Sequence, residues 1–283
     1  MKTIPNITGA TRLYAIIGDP IAQVRSPETI TAGFVAAGVN AILIPAHVPA
    51  ADFDAIVPAL LRLGNLDGVL VTIPFKARML PFANRLGVTA QCIGALNALR
   101  READGSWTGD MFDGAGFVNG AARKGHRLQG RRVALFGAGG AGSAIACALA
   151  GAKVASIAII DTDVAKAAAL AGRLGPTFPD VRVASAPAAP RDADLIINAT
   201  PVGMRPEDGM PFTLGALASD TLIGDVIVSK VPTALIRHAA ASGCGWVDGN
   251  EMHSGQVAAI VDYFTAGREA ATSASAGLQT VTS

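Results

Sequence analysis

Arg132-Val133-Ala134-Leu135-Phe136-Gly137-Ala138-Gly139-Gly140-Ala141-Gly142-Ser143-Ala144-Ile145 is the stretch whose reading decides the fold. Its apolar run, 133–136, reads as a buried strand. The run ends in Gly137-x-Gly139-x-x-Gly142, and small residues over 143–151 continue as a helix. Gly137 makes the tight turn, Gly139 lets a pyrophosphate reach bare backbone, and Gly142 lets the helix pack closely on the strand. The start of that helix offers unsatisfied N–H groups and a partial positive charge. In a chain with 32 glycines the spacing recurs by chance, so the context carries the reading. A second apolar run, 154–160, ends at Asp161, close to the ~20-residue offset at which an acid meets the adenine ribose. Strand, turn, helix, strand and acid in that order define a dinucleotide-binding unit, with Gly137, Ala138, Gly139, Gly140, Ala141 and Gly142 as its phosphate turn. A carboxylate at Asp161 accepts from ribose hydroxyls and repels a 2′-phosphate. No arginine follows it (Thr162 and Asp163 come next), so NAD is expected in preference to NADP.

Outward from this unit, 283 residues suffice for two domains. A hydrophobic content of 51% with 16% charged residues describes a well-cored protein. A net charge of +1 and an aromatic content of 5% argue against nucleic acid and anionic membrane surfaces. Cys92, Cys147 and Cys244 are few, odd in number and far apart, which fits a reducing compartment rather than a disulfide framework. Neither they nor His47, His126, His238 and His253 show metal-ligand spacing, and no metal is expected. The first residues lack a basic region followed by an apolar run, and no segment has the ~20 apolar residues of a membrane span. A cytoplasmic protein, monomeric or homodimeric, is expected.

Before the glycine turn, strands are predicted over 13–17, 41–44 and 67–73, alternating with helices over 26–37, 52–63 and 77–86. Ser26 is placed as the cap of the first helix, with Pro27 in its first turn. A hairpin is expected from 95–100 and 106–110 around Ala103-Asp104-Gly105, and a helix over 114–124 crosses to the dinucleotide unit. After the turn come strands 154–160, 181–184, 195–199, 221–228 and 245–247, with helices 163–173, 233–241 and 251–266. Such alternation predicts two α/β domains with largely parallel sheets. Their expected bounds are 1–113 for a substrate-binding domain and 114–248 for a Rossmann domain. In the remainder, 249–283, a helix packs back on the first domain and a small polar tail, 272–283, reads as disordered.

Three polar residues stand at strand ends or turns of the first domain, where α/β sheets place ligands: Lys76, Asn97 and Asp113. A Lys–Asp pair in a cleft suits alcohol oxidation, because the hydroxyl proton must pass to a base as hydride leaves carbon. From spacing alone a blander reading stands beside this one, with Lys76 a solvated charge at a helix start and Asp113 a helix cap.

The ordered set of motifs resembles the shikimate dehydrogenase family. It comprises Gly18-Asp19-Pro20-Ile21 with Ser26-Pro27, Val71-Thr72-Ile73-Pro74-Phe75-Lys76, Gly94-Ala95-Leu96-Asn97 and Gly109-Asp110 with Asp113-Gly114. The glycine turn, Asn198-Ala199-Thr200-Pro201-Val202-Gly203-Met204, Asp248-Gly249 and Met252 with Gln256 complete it. The resemblance implies NAD(P)-dependent oxidation of a ring hydroxyl, with shikimate or quinate as the usual substrate class. It implies Lys76 and Asp113 as the catalytic couple, Ser26, Thr72 and Asn97 as substrate contacts, and Gln256 closing over the ring. On the cofactor side it implies Asn198, Ala199, Thr200, Pro201 and Met204 beside ribose and nicotinamide, with Gly249 nearby.

The chain departs from the family pattern where the substrate carboxylate is usually held. Val24 stands for the first Ser of Ser-x-Ser, Leu70 for an Asn, Met111-Phe112 for Asn-Thr, and Val228 for a Tyr. At ~1.5–3 kcal/mol per hydrogen bond to a charged group, such losses weaken carboxylate binding considerably. Arg25, beside Val24, is either a replacement donor or a solvated charge. Three readings follow: a shikimate/quinate-type dehydrogenase with altered affinity, a dehydrogenase for a carboxylate-free cyclitol, and a non-catalytic NAD-binding sensor.

Overall fold

The computed structural model describes residues 7–266 except 23 and 216; the tail expected over 272–283 lies outside them. Two six-stranded sheets organise the chain. The first is built from β1 (Arg12–Gly18), β2 (Ala41–His47), β3 (Leu66–Val71), β4 (Arg85–Leu86), β5 (Ala98–Arg101) and β6 (Trp107–Asp110), in the order β2-β1-β3-β5-β6-β4. β1, β2 and β3 run parallel, and β5 pairs antiparallel with β3 on one side and with β6 on the other. Helices α1 (Ser26–Ala36), α2 (Phe53–Leu60) and α3 (Val88–Ile93) complete this domain. Every residue of β3 is buried, as a strand covered on both faces requires.

α4 (Asp113–Arg123) leads to the second sheet, whose strands are β7 (Arg132–Phe136), β8 (Ser156–Ile160), β9 (Arg182–Ser185), β10 (Leu195–Asn198), β11 (Leu222–Asp225) and β12 (Gly245–Val247). All pairings are parallel in the order β12-β11-β10-β7-β8-β9. Strand order therefore reverses between β7 and β10, and ligands of such sheets bind at the carboxyl ends of the strands on either side of that switch. Helices α5 (Gly140–Gly151), α6 (Val164–Thr177) and α7 (Ala234–Ala241) flank the sheet.

α8 (Gly249–Thr265) packs along α4 and reaches α1 and β5. Its far end is fixed to the first domain by the Tyr14–Phe264 ring contact at 4.7 Å, by Arg100 Nη1 donating to the Tyr263 carbonyl at 2.7 Å, and by Tyr263 Oη donating to the Thr108 carbonyl at 2.6 Å. The two helices come close enough that a Cβ on Gly255 would stand 2.4 Å from the Gly116 carbonyl oxygen. The final helix thus belongs to the first domain in space although it follows the second in sequence. Among the described residues no helix is long and apolar enough to cross a membrane.

Two local expectations are corrected. Residues 77–86 form no α-helix. Pro81 lies in a single 3₁₀ turn, Leu80–Phe82, and the chain then extends so that β4 pairs with β6. Ser26 does not cap α1; Arg25 is the cap residue and Ser26 is the first residue inside the helix.

Candidate active site

Lys76 follows the turn that leaves the carboxyl end of β3, and Asp113 opens α4 just past β6. Lys76 Nζ donates to Asp113 Oδ2 at 2.7 Å. The other carboxylate oxygen, Oδ1, accepts from Asn97 Nδ2 at 2.7 Å and from Gln256 Nε2 at 2.7 Å. Asn97 is itself held, because its Oδ1 accepts from the Phe112 amide at 2.9 Å and its backbone bridges β3 and β6. Three side chains, drawn from a loop, a strand approach and α8, thus converge on one carboxylate at the start of α4. Asp113 does not cap α4, and its neighbour Lys76 is not a free surface charge.

The cluster faces a cavity of about 300 Å³ lined by Ser26, Thr72, Lys76, Asn97, Asp113 and Gln256, so all six expected substrate-side residues share one space. The departures from the family pattern share it too: Val24, Leu70 and Val228 line the same cavity, together with Arg25, Ile16, Ile260 and His253. His253 was not singled out from the sequence as a site residue. The signal available was its offset of three from Gln256, which puts both on one face of a helix.

On the other side of the cleft, the glycine turn connects β7 to α5 at the switch point. Gly137 has φ +100°, and a Cβ there would stand 2.7 Å from the Ala199 carbonyl oxygen. A Cβ on Gly142 would stand 1.9 Å from the Gly137 carbonyl oxygen, so the helix start can lie against the turn only with glycine at that position. At Gly139 the corresponding space is open, with no atom within 4 Å, as an approaching phosphate requires. Ala138, Gly140 and Ala141 complete the turn. Opposite it, Ala199, Thr200, Pro201 and Met204 line a second cavity of about 380 Å³ with Val226, Ile227 and Val228. Val228 borders both cavities. Gly249 begins α8 against Ile227, where a Cβ would meet the Ile227 backbone at 2.4 Å.

Asn198 fixes the cofactor-side loop. Its Oδ1 accepts from Thr200 Oγ1 at 2.7 Å and the Thr200 amide at 3.1 Å, and its Nδ2 donates to the Val202 carbonyl at 3.0 Å. Nδ2 also donates to Asp225 Oδ1 at 3.0 Å, and Thr233 Oγ1 donates to Asp225 Oδ2 at 2.6 Å. Burial pushes the Asp225 carboxyl above the usual carboxylate range, against these hydrogen bonds.

The chain is similar to known proteins over nearly its whole length. The family model described as "Shikimate dehydrogenase substrate binding domain" matches residues 16–99, and "Shikimate / quinate 5-dehydrogenase" matches 119–203. The shikimate dehydrogenase (NADP(+)) of Rubrobacter xylanophilus is 35% identical over 257 residues, covering 88% of this chain and 89% of its own. Among solved structures, the ligand-free 5-ketofructose reductase of Gluconobacter sp. strain CHM43 superposes with a TM-score of 0.83 at 28% identity, covering 90% of this chain and 92% of its own. Shikimate 5-dehydrogenase from Listeria monocytogenes in complex with shikimate and NAD gives a TM-score of 0.85 at 26% identity, covering 94% and 95%.

These comparisons correct the expected preference for NAD, since curated relatives of the chain carry NADP(+) in their names. The geometry shows why Asp161 was a poor guide. Its Oδ2 accepts from the Ala138 amide at 2.7 Å and its Oδ1 from the Asp163 amide at 2.9 Å. Those amides hold its carboxyl below the usual range. The acid serves to pin the glycine turn, a task independent of what the ribose carries. The matched domains and the relative covering most of both chains settle the family: the chain belongs to the shikimate dehydrogenase family of NAD(P)-dependent oxidoreductases acting on CH–OH groups.

Proposed function

We propose that the protein interconverts a ring hydroxyl and the corresponding ketone of a cyclic hydroxy acid of the shikimate/quinate type, with NADP as cofactor. The observation that carries this reading is the convergence of Lys76, Asn97 and Gln256 on Asp113 at the wall of one cavity. The domain division read from the sequence, 1–113, 114–248 and 249–283, is retained as part of the proposal.

The chain's residues fit a dinucleotide. The open face at Gly139 and the N-terminus of α5 suit its phosphates, and the loop from Asn198 to Met204, with Gly249, suits its ribose and nicotinamide end. When bound, the nicotinamide accepts or returns the hydride at the ring carbon. Lys76 Nζ takes the hydroxyl proton as the alcohol is oxidised and returns it to the carbonyl oxygen in the reverse direction. Asp113 orients that amine and supports its charged form through Oδ2. Asn97 and Gln256 fix the carboxylate's rotation through Oδ1, and Gln256 closes the cavity from α8. Thr72 and Asn97 meet ring hydroxyls, and Ser26 meets the remote end of the substrate.

A second reading has a specific observation behind it. Val24, Leu70 and Val228 present apolar surface to the cavity, and one structural relative is by name a reductase of a sugar without a carboxylate. A panel of shikimate, quinate and neutral polyols with NADP separates the two. Turnover of a ring acid, lost by ~10²–10⁴-fold in Lys76→Ala, supports the first reading. Turnover of neutral polyols alone would assign the second, and an undiminished Lys76→Ala would remove Lys76 from the chemistry.

A further inference from the structure

The remote end of the substrate cavity contains two polar groups to which neither the family motifs nor the proton chemistry gives work. His253 lies on α8 one turn before Gln256, on the same face, and lines the cavity. Its Nε2 is buried and, among the described residues, has no hydrogen-bond partner. Arg25 occupies the N-cap position of α1 beside Ser26 without a capping side-chain hydrogen bond, lines the same cavity, and makes no ion pair among the described residues. Around them Val24, Leu70, Val228, Ile16 and Ile260 offer nothing to a polar substituent. Beyond Thr72 and the hub of Lys76, Asn97, Asp113 and Gln256, a polar group of the substrate can fall only to Ser26, Arg25 or His253 among the lining residues.

We propose that Arg25 and His253 are the specificity-determining pair of this pocket: Arg25, with Ser26, takes the substrate carboxylate, and His253 reads a hydroxyl on the carbon that bears it. The division of labour follows from charge. A guanidinium matches a carboxylate in geometry and sign. Burial and the nearby Arg25 both disfavour protonation of His253, so its imidazole stands neutral at neutral pH and suits a neutral hydroxyl. Quinate carries a tertiary hydroxyl beside its carboxylate, whereas shikimate has a ring double bond there. The pocket is thus built for a saturated α-hydroxy ring acid over its unsaturated counterpart. A site that hydrogen-bonds a substrate hydroxyl rejects the analogue lacking it, because its own polar group is then left unpaired.

This inference rests on the ring-acid reading above, and the experiment separates the two. Steady-state kinetics of the full chain with NADP are measured on quinate and shikimate, and NADP affinity is followed separately by fluorescence. His253→Leu is expected to lower the quinate-to-shikimate ratio of kcat/KM by about tenfold or more, with His253→Asn restoring part of it. Arg25→Met is expected to raise KM for both acids by about tenfold with NADP affinity unchanged. A ratio within about threefold of wild type in His253→Leu, or unmoved KM values in Arg25→Met, overturns the pair while the ring-acid reading stands. A wild-type enzyme that turns over neither acid overturns both.

Discussion

Replacing Asp113 by Asn keeps the shape of the hub and changes its charge and hydrogen-bonding sense. In the wild type, one carboxylate accepts three donors, each at 2.7 Å. An asparagine has one oxygen and one NH₂ group. Whichever way the amide lies, its NH₂ faces either the Lys76 ammonium or the Asn97 and Gln256 amides, donor against donor. If Asn97 and Gln256 keep the oxygen, Lys76 loses both its partner and its anion. The stability cost is bounded by two comparisons. Breaking a fully buried pair costs ~3–5 kcal/mol, whereas exposed pairs contribute ~0–1 kcal/mol. Here the side chains of Lys76 and Asp113 are 28% and 15% exposed, which places the loss near ~1–2 kcal/mol. Catalysis is hit harder, because an amine displaced by ~1 Å from the reacting oxygen costs on the order of 10²-fold. The expected result is a kcat lowered by roughly 10²–10³-fold, NADP affinity within about twofold, and a urea midpoint moved by the stability loss alone. If kcat fell by less than about fivefold, Lys76 would not depend on Asp113 for its position, and the argument from convergence would fail.

Asp225→Asn tests the buried carboxylate behind the cofactor loop. Its carboxyl is raised by burial, so the folded state binds the proton more tightly than the unfolded chain. The wild type therefore loses stability as pH rises from the ordinary carboxylate value through the folded one. Asparagine can still accept from Asn198 and donate to Thr233, so the variant should lack that loss; urea melts across pH 4–7 would show it, and an unchanged pH slope would refute it. Asp161→Asn has the opposite sign, because the Ala138 and Asp163 amides lower the carboxyl. Its wild-type contribution is present at neutral pH and fades as pH falls below the ordinary carboxylate value, and parallel melting curves of wild type and variant through acid would refute that. Gly142→Ala puts a methyl where the Gly137 carbonyl stands, and NADP affinity should fall by at least about tenfold in a fluorescence titration. Burial and the neighbouring Cys92 push the Cys147 thiol up to about 12, so iodoacetamide at pH 8 should leave Cys147 unlabelled in the native protein, as mass spectrometry of its peptide would reveal.

The parts legible in the sequence were those fixed by local physics. The glycine turn announces itself because Gly137 and Gly142 answer to contacts within a few residues or one strand away. Strands such as β1, β3, β7, β8 and β10 contain short apolar runs, and their parallel pairing follows from alternation with helices. The hub is different. Lys76, Asn97, Asp113 and Gln256 are scattered from position 76 to position 256 with no periodicity to link them; strand-end positions singled out the first three beside a blander reading, and only the resemblance to a family favoured the site and added Gln256. The helix expected over 77–86 fails because its alanines and leucines speak for local propensity. Pro81 and the pairing of β4 with β6 decide the conformation instead. Asp161 was misleading because a sequence shows that an acid is present without showing which donors reach it first. His253 stayed invisible because nothing in the chain says that the face of α8 shared with Gln256 borders a cavity.

The path of the chain explains why the two halves of the site cannot be positioned independently. Asp113 is the first residue of α4, and the next residue, Gly114, lies so close to α5 that a Cβ would meet the Ala144 carbonyl oxygen at 2.0 Å. α5 is the helix whose N-terminus carries the glycine turn. A close contact thus runs from the Asp113 carboxylate to α5 within one residue. From the other direction, α8 starts beside Ile227 on the cofactor side, passes His253 and Gln256 into the substrate cavity, and ends locked to Tyr14 and Arg100 of the first sheet. Two helices therefore tie the two sides together, α4 through Gly114 against α5 and α8 through its packing along α4. A change at the substrate end, such as Val24 or Val228 in place of a polar residue, leaves those helices and their close contacts in place. On the proposed function, the recognition end can change without disturbing those contacts.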